Sequence, residues 1–152
     1  MALSIVGSGR SEWNMLFDET SRLEHLNKDE CWKRIRQKSI GRLAVSIANK
    51  PDIFPVNYVA SDEGEIVVRT AAGLKLAAAT LGAGVAFEVG AYDESTHAGW
   101  SVVIRGTATE IERLDDVMKA QDMGIEPWAE GNKSRFIRIH ADVVSGREVP
   151  AL

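Results

Sequence analysis

The residues most able to do chemistry sit in one short run, Arg69-Thr70-Ala71-Ala72-Gly73-Leu74-Lys75-Leu76. Arg69 and Thr70 end a strand-like stretch, and Lys75 opens a helix-like one. Two cations, a hydroxyl and the unpaired N–H groups of a helix start would then meet at one point, an arrangement that suits a phosphate monoester. Arg presents a planar fork of donors and Lys a compact point charge. A helix N-terminus adds partial positive charge, and Gly73 lets the backbone come close. The same cations also read as ordinary surface charges flanking a helix, and residue type alone leaves both readings open.

Pro55, Val56 and Asn57 lie just upstream. Pro55 lacks a ladder donor and so marks a sheet edge or a bulge. Asn57 both donates and accepts, which suits the polar rim of a planar ring, or simply a satisfied Asn on an edge strand. Trp100 follows Gly99 and precedes Ser101. A Trp there stacks on a ring, covers a seam between two chains, or fills the core. Trp128, after Pro127, has the same choices.

No acid–base or nucleophilic constellation is visible: the chain has no Gly-x-Ser-x-Gly, His-Glu-x-x-His or Cys-x-x-Cys. Cys31 sits among apolar helix positions and reads as core. His25, His97 and His140 are scattered singly, and His140 reads as a surface or hydrogen-bonded histidine. Asp115-Asp116 reads as a solvated helix face. The sequence therefore names no catalytic residue and no metal site.

The elements that position these residues follow from the hydrophobic period. Residues 1–26 read as an N-terminal arm and 27–152 as one domain. A helix starts at Asn27, with Glu30 completing a capping box. Cys31, Trp32 and Ile35 form its apolar face, and Gly41 is expected to turn the chain after it. Alternation from Arg42 to Ile47 then marks a strand. Asn49-Lys50-Pro51-Asp52 reads as a turn, and Ile53–Ala60 completes a hairpin. Ser61-Asp62-Glu63-Gly64 is a second turn before a strand at Glu65–Thr70. A short helix is expected over 74–81, a strand at Val85–Val89, a polar loop at Tyr92–Gly99 and a long strand at Trp100–Ile111. Gly106 marks a bulge or close approach in that strand. A helix around Leu114, Val117 and Met118 ends at Gly124. A sixth strand runs over Arg135–Val144. Six strands with short turns and no βαβ alternation imply an antiparallel sheet closed into a barrel.

The bulk properties agree. The 152 residues suffice for one domain with a real core. A net charge of −4 argues against general nucleic-acid binding. A single cysteine makes the fold independent of an internal disulfide. No run approaches the roughly 20 apolar residues that span a bilayer. The expected address is cytoplasmic, with no membrane and no nucleic-acid partner.

Taken in order, these motifs resemble the pyridoxamine 5′-phosphate oxidase-like FMN-binding split-barrel family. They are similar to a small subfamily carrying the strands seen here as Gly41 to Ala44, Ile53 to Tyr58 and Gly99 to Val103. The phosphate run, Phe87-Glu88, Pro127-Trp128 and Ser145-Gly146-Arg147 match as well, so the likeness spans Leu26 to Arg147. The resemblance implies a mainly β, six-stranded antiparallel split barrel, a homodimer, and FMN at the subunit interface. It places Arg69, Thr70, Leu74 and Lys75 at the FMN phosphate. Pro55, Val56 and Asn57 would border the isoalloxazine ring, and the partner subunit would supply Trp100 and Ser101. It implies an oxidoreductase whose small-molecule substrate the sequence does not name. A deazaflavin reductase on the same fold is the second reading, although a deazaflavin's acidic tail asks for a more cationic groove. A non-catalytic flavin- or haem-binding protein is the third. A second phosphate, as on a pyridoxamine phosphate substrate, would need its own cations; Arg135, Arg138 and Arg147 are the candidates, and all three also read as surface charge. Two departures stand out. Leu74 occupies the place of a Thr, removing one hydroxyl ligand to the phosphate. A lost hydrogen bond to a charged group costs about 1.5–3 kcal/mol, roughly ten- to hundredfold in affinity. Gly90 stands where an acidic residue is expected.

Overall fold

A computed structural model describes residues 22–70, 84–128 and 135–152. Its elements in chain order are β1 (Glu24–Leu26), α1 (Lys28–Ile35), β2 (Ile40–Ile47), β3 (Lys50–Ala60), β4 (Glu65–Thr70), β5 (Gly84–Asp93), β6 (Ala98–Glu110), α2 (Leu114–Asp122) and β7 (Arg135–Val149). The expected helix over 74–81 lies outside the described residues.

All strand pairs are antiparallel, in the order β1-β7-β4-β3-β2-β5-β6, and β6 pairs with β7 again. Six strands therefore form a closed ring, as the alternation implied. β7 makes this possible by its length. Its first part pairs with β4, its end with β1, and nearly all of it with β6. β1 is a seventh strand, taken from the stretch read as arm. Three residues carry no measurable alternation, so the pairing of Leu26 with Gly146 is a tertiary choice.

Inward residues alternate with outward ones, as the pleat demands. Leu43, Val56, Tyr58, Val68, Phe87, Ile104 and Ile139 are among those filling the barrel. Tyr58 and Phe87 meet edge-to-face with centroids 5.0 Å apart. α1 adds Cys31, Trp32 and Ile35 to the same core. The Asn27–Glu30 capping box is formed as expected. The Tyr58 hydroxyl donates to the Ile35 carbonyl at 2.5 Å, tying the end of α1 to β3. A smaller cluster lies outside the barrel, where Val67 and Phe136 face Ile111, Ala120 and Ile125.

Three expectations change. Gly41 does not turn the chain; it lies within β2, where a side chain would collide with the Phe87 ring. The β2–β3 turn is Ala48-Asn49, both at positive φ (49° and 61°), and Lys50 and Pro51 already belong to β3. Two positive φ values match the twist of a hairpin. The polar loop expected over Tyr92–Gly99 shrinks to 94–97, because Ala91–Asp93 pair with Ala98–Trp100. Gly106 behaves as predicted: the register shifts there, and a Cβ would strike the His140 carbonyl.

Candidate functional site

β3 and β4 pair only from Asn57 to Ala60. Among the described residues β3 has no second strand partner before Asn57, so Pro51 and Pro55 deprive no described neighbour of a donor. At Asn57 the ladder resumes, and an outward row crosses four strands: Ile40, Asn57, Arg69 and Phe136. Two of the residues singled out from sequence thus become direct neighbours. Thr70 follows Arg69 at the end of β4. Leu74 and Lys75 lie outside the described residues.

The segment after α2 holds this row. Gly124, at φ +72°, ends α2 and sends the chain back across β4. The Ile125 carbonyl accepts from Arg69 Nη1 at 3.1 Å, and the Arg69 guanidinium stands 5.6 Å from the Phe136 ring centre. The Trp128 backbone N–H donates to Asn57 Oδ1 at 3.1 Å. That bond fixes the Asn57 amide. Its Nδ2 is buried and has no hydrogen-bond partner among the described residues. A buried donor left unmade costs about 1–3 kcal/mol, so a fixed, unspent donor beside a guanidinium is a place for a ligand's acceptor. Backbone groups carry no residue signature, and sequence reasoning missed the Ile125 carbonyl and the Trp128 N–H for that reason. The Trp128 side chain itself is 74% exposed.

The other residues fall elsewhere. Val56 is buried and points into the barrel, away from Asn57, while Pro55 is exposed on Asn57's side. Trp100 packs in the main core, with the Arg34 guanidinium 5.5 Å from its ring centre. Ser101 faces outward on β6, opposite Gly90 and Arg147. Around the ring, β2 and β5 separate β6 from β3 on one side, and β7 and β4 on the other. One chain therefore does not bring Ser101 to Asn57.

Gly90 has a local explanation. A Cβ there would lie 2.7 Å from the Trp100 carbonyl, 2.9 Å from Glu88 Oε1 and 3.0 Å from the Tyr92 hydroxyl. Tyr92 reaches over Gly90 to donate to Glu88 at 3.3 Å, and Ser101 hydrogen-bonds the same hydroxyl. Glu88 also holds Arg42. Burial first, then the Glu88 charge, pushes the Tyr92 hydroxyl's pKa up.

Comparison with known proteins accords with this geometry. The family model for pyridoxamine 5′-phosphate oxidase matches residues 27–148. The uncharacterized protein Rv0080 of Mycobacterium tuberculosis is 30% identical over 83% of this chain and 85% of its own length. A solved FAD binding protein from Mycobacterium smegmatis is 30% identical, covers 82% of this chain and 96% of its own, and superposes with a TM-score of 0.70. An FAD-binding protein from Mesorhizobium loti is 25% identical, covers 84% and 99%, and gives a TM-score of 0.67. The fold is thus a split β-barrel of the kind found in flavin-binding proteins. The chain belongs to the pyridoxamine 5′-phosphate oxidase family. Among the described residues, no helix is long and apolar enough to cross a membrane.

Proposed function

We propose that this protein binds a flavin nucleotide at the outward row of β3 and β4, and works as a homodimeric, FMN-dependent oxidoreductase. The observation that carries the reading is the Asn57 amide, pinned by Trp128 with a buried donor unspent and Arg69 next to it. Asn57 Nδ2 would donate to an acceptor on the ring's polar rim. Arg69 and Thr70, with Lys75, would hold the phosphate. The flavin would supply the hydride chemistry, and the chain would supply position and electrostatics. That division of labour suits a protein without an acid–base constellation.

The FAD-binding names of two relatives favour a second reading, FAD in place of FMN. The two share the FMN moiety and so the same use of Asn57 and Arg69.

The homodimer rests on the surface. Outward residues of β3, β2, β5, β6 and β7 form a row of Ile53, Ala44, Ala86, Arg105 and Val143. Ile53 is 63% and Val143 53% exposed. The same face carries Asn57 on β3 and Ser101 on β6. A two-fold copy laid on it would set the partner subunit's Ser101 towards Asn57, which a single chain does not do. We place the protein in the cytoplasm.

The test is the visible absorbance of the purified protein, followed by the Arg69→Ala, Lys75→Ala double variant. A yellow wild type and a colourless but folded variant support the reading. A variant that keeps its flavin overturns the site.

A further inference from the structure

Two arginines near the start of β7 are used differently. Arg135 forks onto Glu110 at 2.5 and 3.0 Å. Arg138 Nε lies 3.1 Å from Glu65, an ion pair without the alignment of a hydrogen bond. Among the described residues, Arg138 makes no hydrogen bond at all. A guanidinium has five donors in a fixed fork, and this pair leaves the fork unspent.

A cavity of about 430 Å³ opens at the pair. The volume falls in the range of small-molecule sites, roughly 300–1,000 Å³. The register explains its lining. Val59, Val67 and Arg138 form one row across β3, β4 and β7. In the next row Ser61 stands beside Glu65, its N–H donating to the Glu65 carbonyl at 2.8 Å. The Ser61 Oγ accepts from the Glu65 N–H at 3.2 Å, which leaves the hydroxyl proton to donate. Met123, the C-cap of α2, completes the lining. Val59 and Met123 pack with Val67 in the cluster outside the barrel. The cavity thus joins an apolar floor to a carboxylate and a guanidinium side by side. Asp62 and Glu63 also line it, and both are exposed.

These charges select a ligand class. A plain anion meets three carboxylates, and a plain cation meets Arg138 at the Glu65 oxygens. A zwitterion avoids both conflicts. An α-amino acid carries its ammonium and carboxylate on one carbon, so it needs an acceptor and a donor close together, as Glu65 and Arg138 are.

We propose that this cavity binds an aliphatic α-amino acid, with its carboxylate on the Arg138 fork, its ammonium on Glu65 and its side chain on Val59, Val67 and Met123. None of these residues belongs to the Asn57–Arg69 row, so the inference does not depend on the flavin reading.

The experiment is calorimetry on the full-length protein as purified. The probes are leucine, leucinamide (no carboxylate), N-acetyl-leucine (no ammonium) and glycine (no side chain). Leucine binds saturably with a Kd of about 1 mM or below, within reach of a ligand of its size. The other three bind at least tenfold more weakly. Arg138→Gln weakens leucine roughly ten- to hundredfold and leaves leucinamide unchanged. Arg138→Lys restores part of the loss, because it keeps the charge and loses the fork. Glu65→Gln weakens leucine to a similar degree and leaves N-acetyl-leucine unchanged. Met123→Ala keeps both charges and narrows the gap between leucine and glycine, a second test that does not disturb the ion pair. Leucinamide or N-acetyl-leucine binding as tightly as leucine, glycine matching leucine, or a folded Arg138→Gln variant with unchanged leucine affinity overturns the proposal. So does the absence of saturable leucine binding.

Discussion

Replacing Asn57 by Leu separates a residue kept for a ligand from one kept for the fold. Among the described residues of the free protein, the Asn57 amide makes one hydrogen bond, from the Trp128 N–H, and buries one donor without a partner. Losing the bond costs about 0.5–1.5 kcal/mol, and removing the buried orphan returns about 1–3 kcal/mol. Leu keeps the branched four-atom outline of Asn with larger methyl ends, and Trp128 is exposed, so water can reach its freed N–H. The balance predicts a free protein between about 0.5 kcal/mol less stable and about 2.5 kcal/mol more stable. Flavin affinity moves the other way. A ligand acceptor left unpaired costs about 1–3 kcal/mol, about five- to hundredfold. Urea unfolding of the flavin-free protein measures the first effect, at an unchanged m-value, and flavin titration the second. If Asn57→Leu destabilises the free protein by more than about 2 kcal/mol, or leaves flavin affinity unchanged, the reasoning from the unspent donor is wrong.

Three further predictions concern the barrel. Gly90→Ala places a methyl 2.7 Å from the Trp100 carbonyl, a backbone atom that cannot swing away. It should lower stability by about 1–3 kcal/mol, seen as a fall in Tm. Burial pushes the Tyr58 hydroxyl well above its ordinary value of 10.0. The folded state then holds this proton more tightly than the unfolded chain, which releases it above pH 10. Stability contributed by Tyr58 is full below about pH 10 and is lost as pH rises beyond it; Tyr58→Phe should flatten that part of the unfolding profile. Cys31 is fully buried, and burial raises its thiol pKa. A thiol reagent should label it only at the rate of unfolding, and fast labelling in native buffer would contradict the packing of α1.

Much of the barrel was legible because hydrophobic alternation is a direct imprint of the pleat. The strand Glu65–Thr70 is legible to the residue, and the structure turns Ile66 and Val68 to the core and Val67 and Arg69 the other way. The capping box at Asn27 and the bulge at Gly106 were legible because each needs a particular residue type. The Ala48-Asn49 turn was not, since Ala seldom adopts positive φ and Pro51 drew attention to the wrong place. β1 was hidden because three residues hold no period. At the site, side chains could be nominated from sequence and backbone partners could not. Trp100 shows the limit from the other side: a motif named the residue, and only the fold shows its ring packed in the core beneath Arg34.

The most direct test of the central claim is to titrate flavin-free protein with FMN, FAD and riboflavin side by side. The account predicts saturable FMN binding at least tenfold tighter than riboflavin, a gap that closes in the Arg69→Ala, Lys75→Ala variant. FAD binding tighter than FMN would make the dinucleotide the cofactor on the same residues. Riboflavin binding as tightly as FMN, or no flavin binding at all, would contradict a flavin nucleotide site at Asn57 and Arg69.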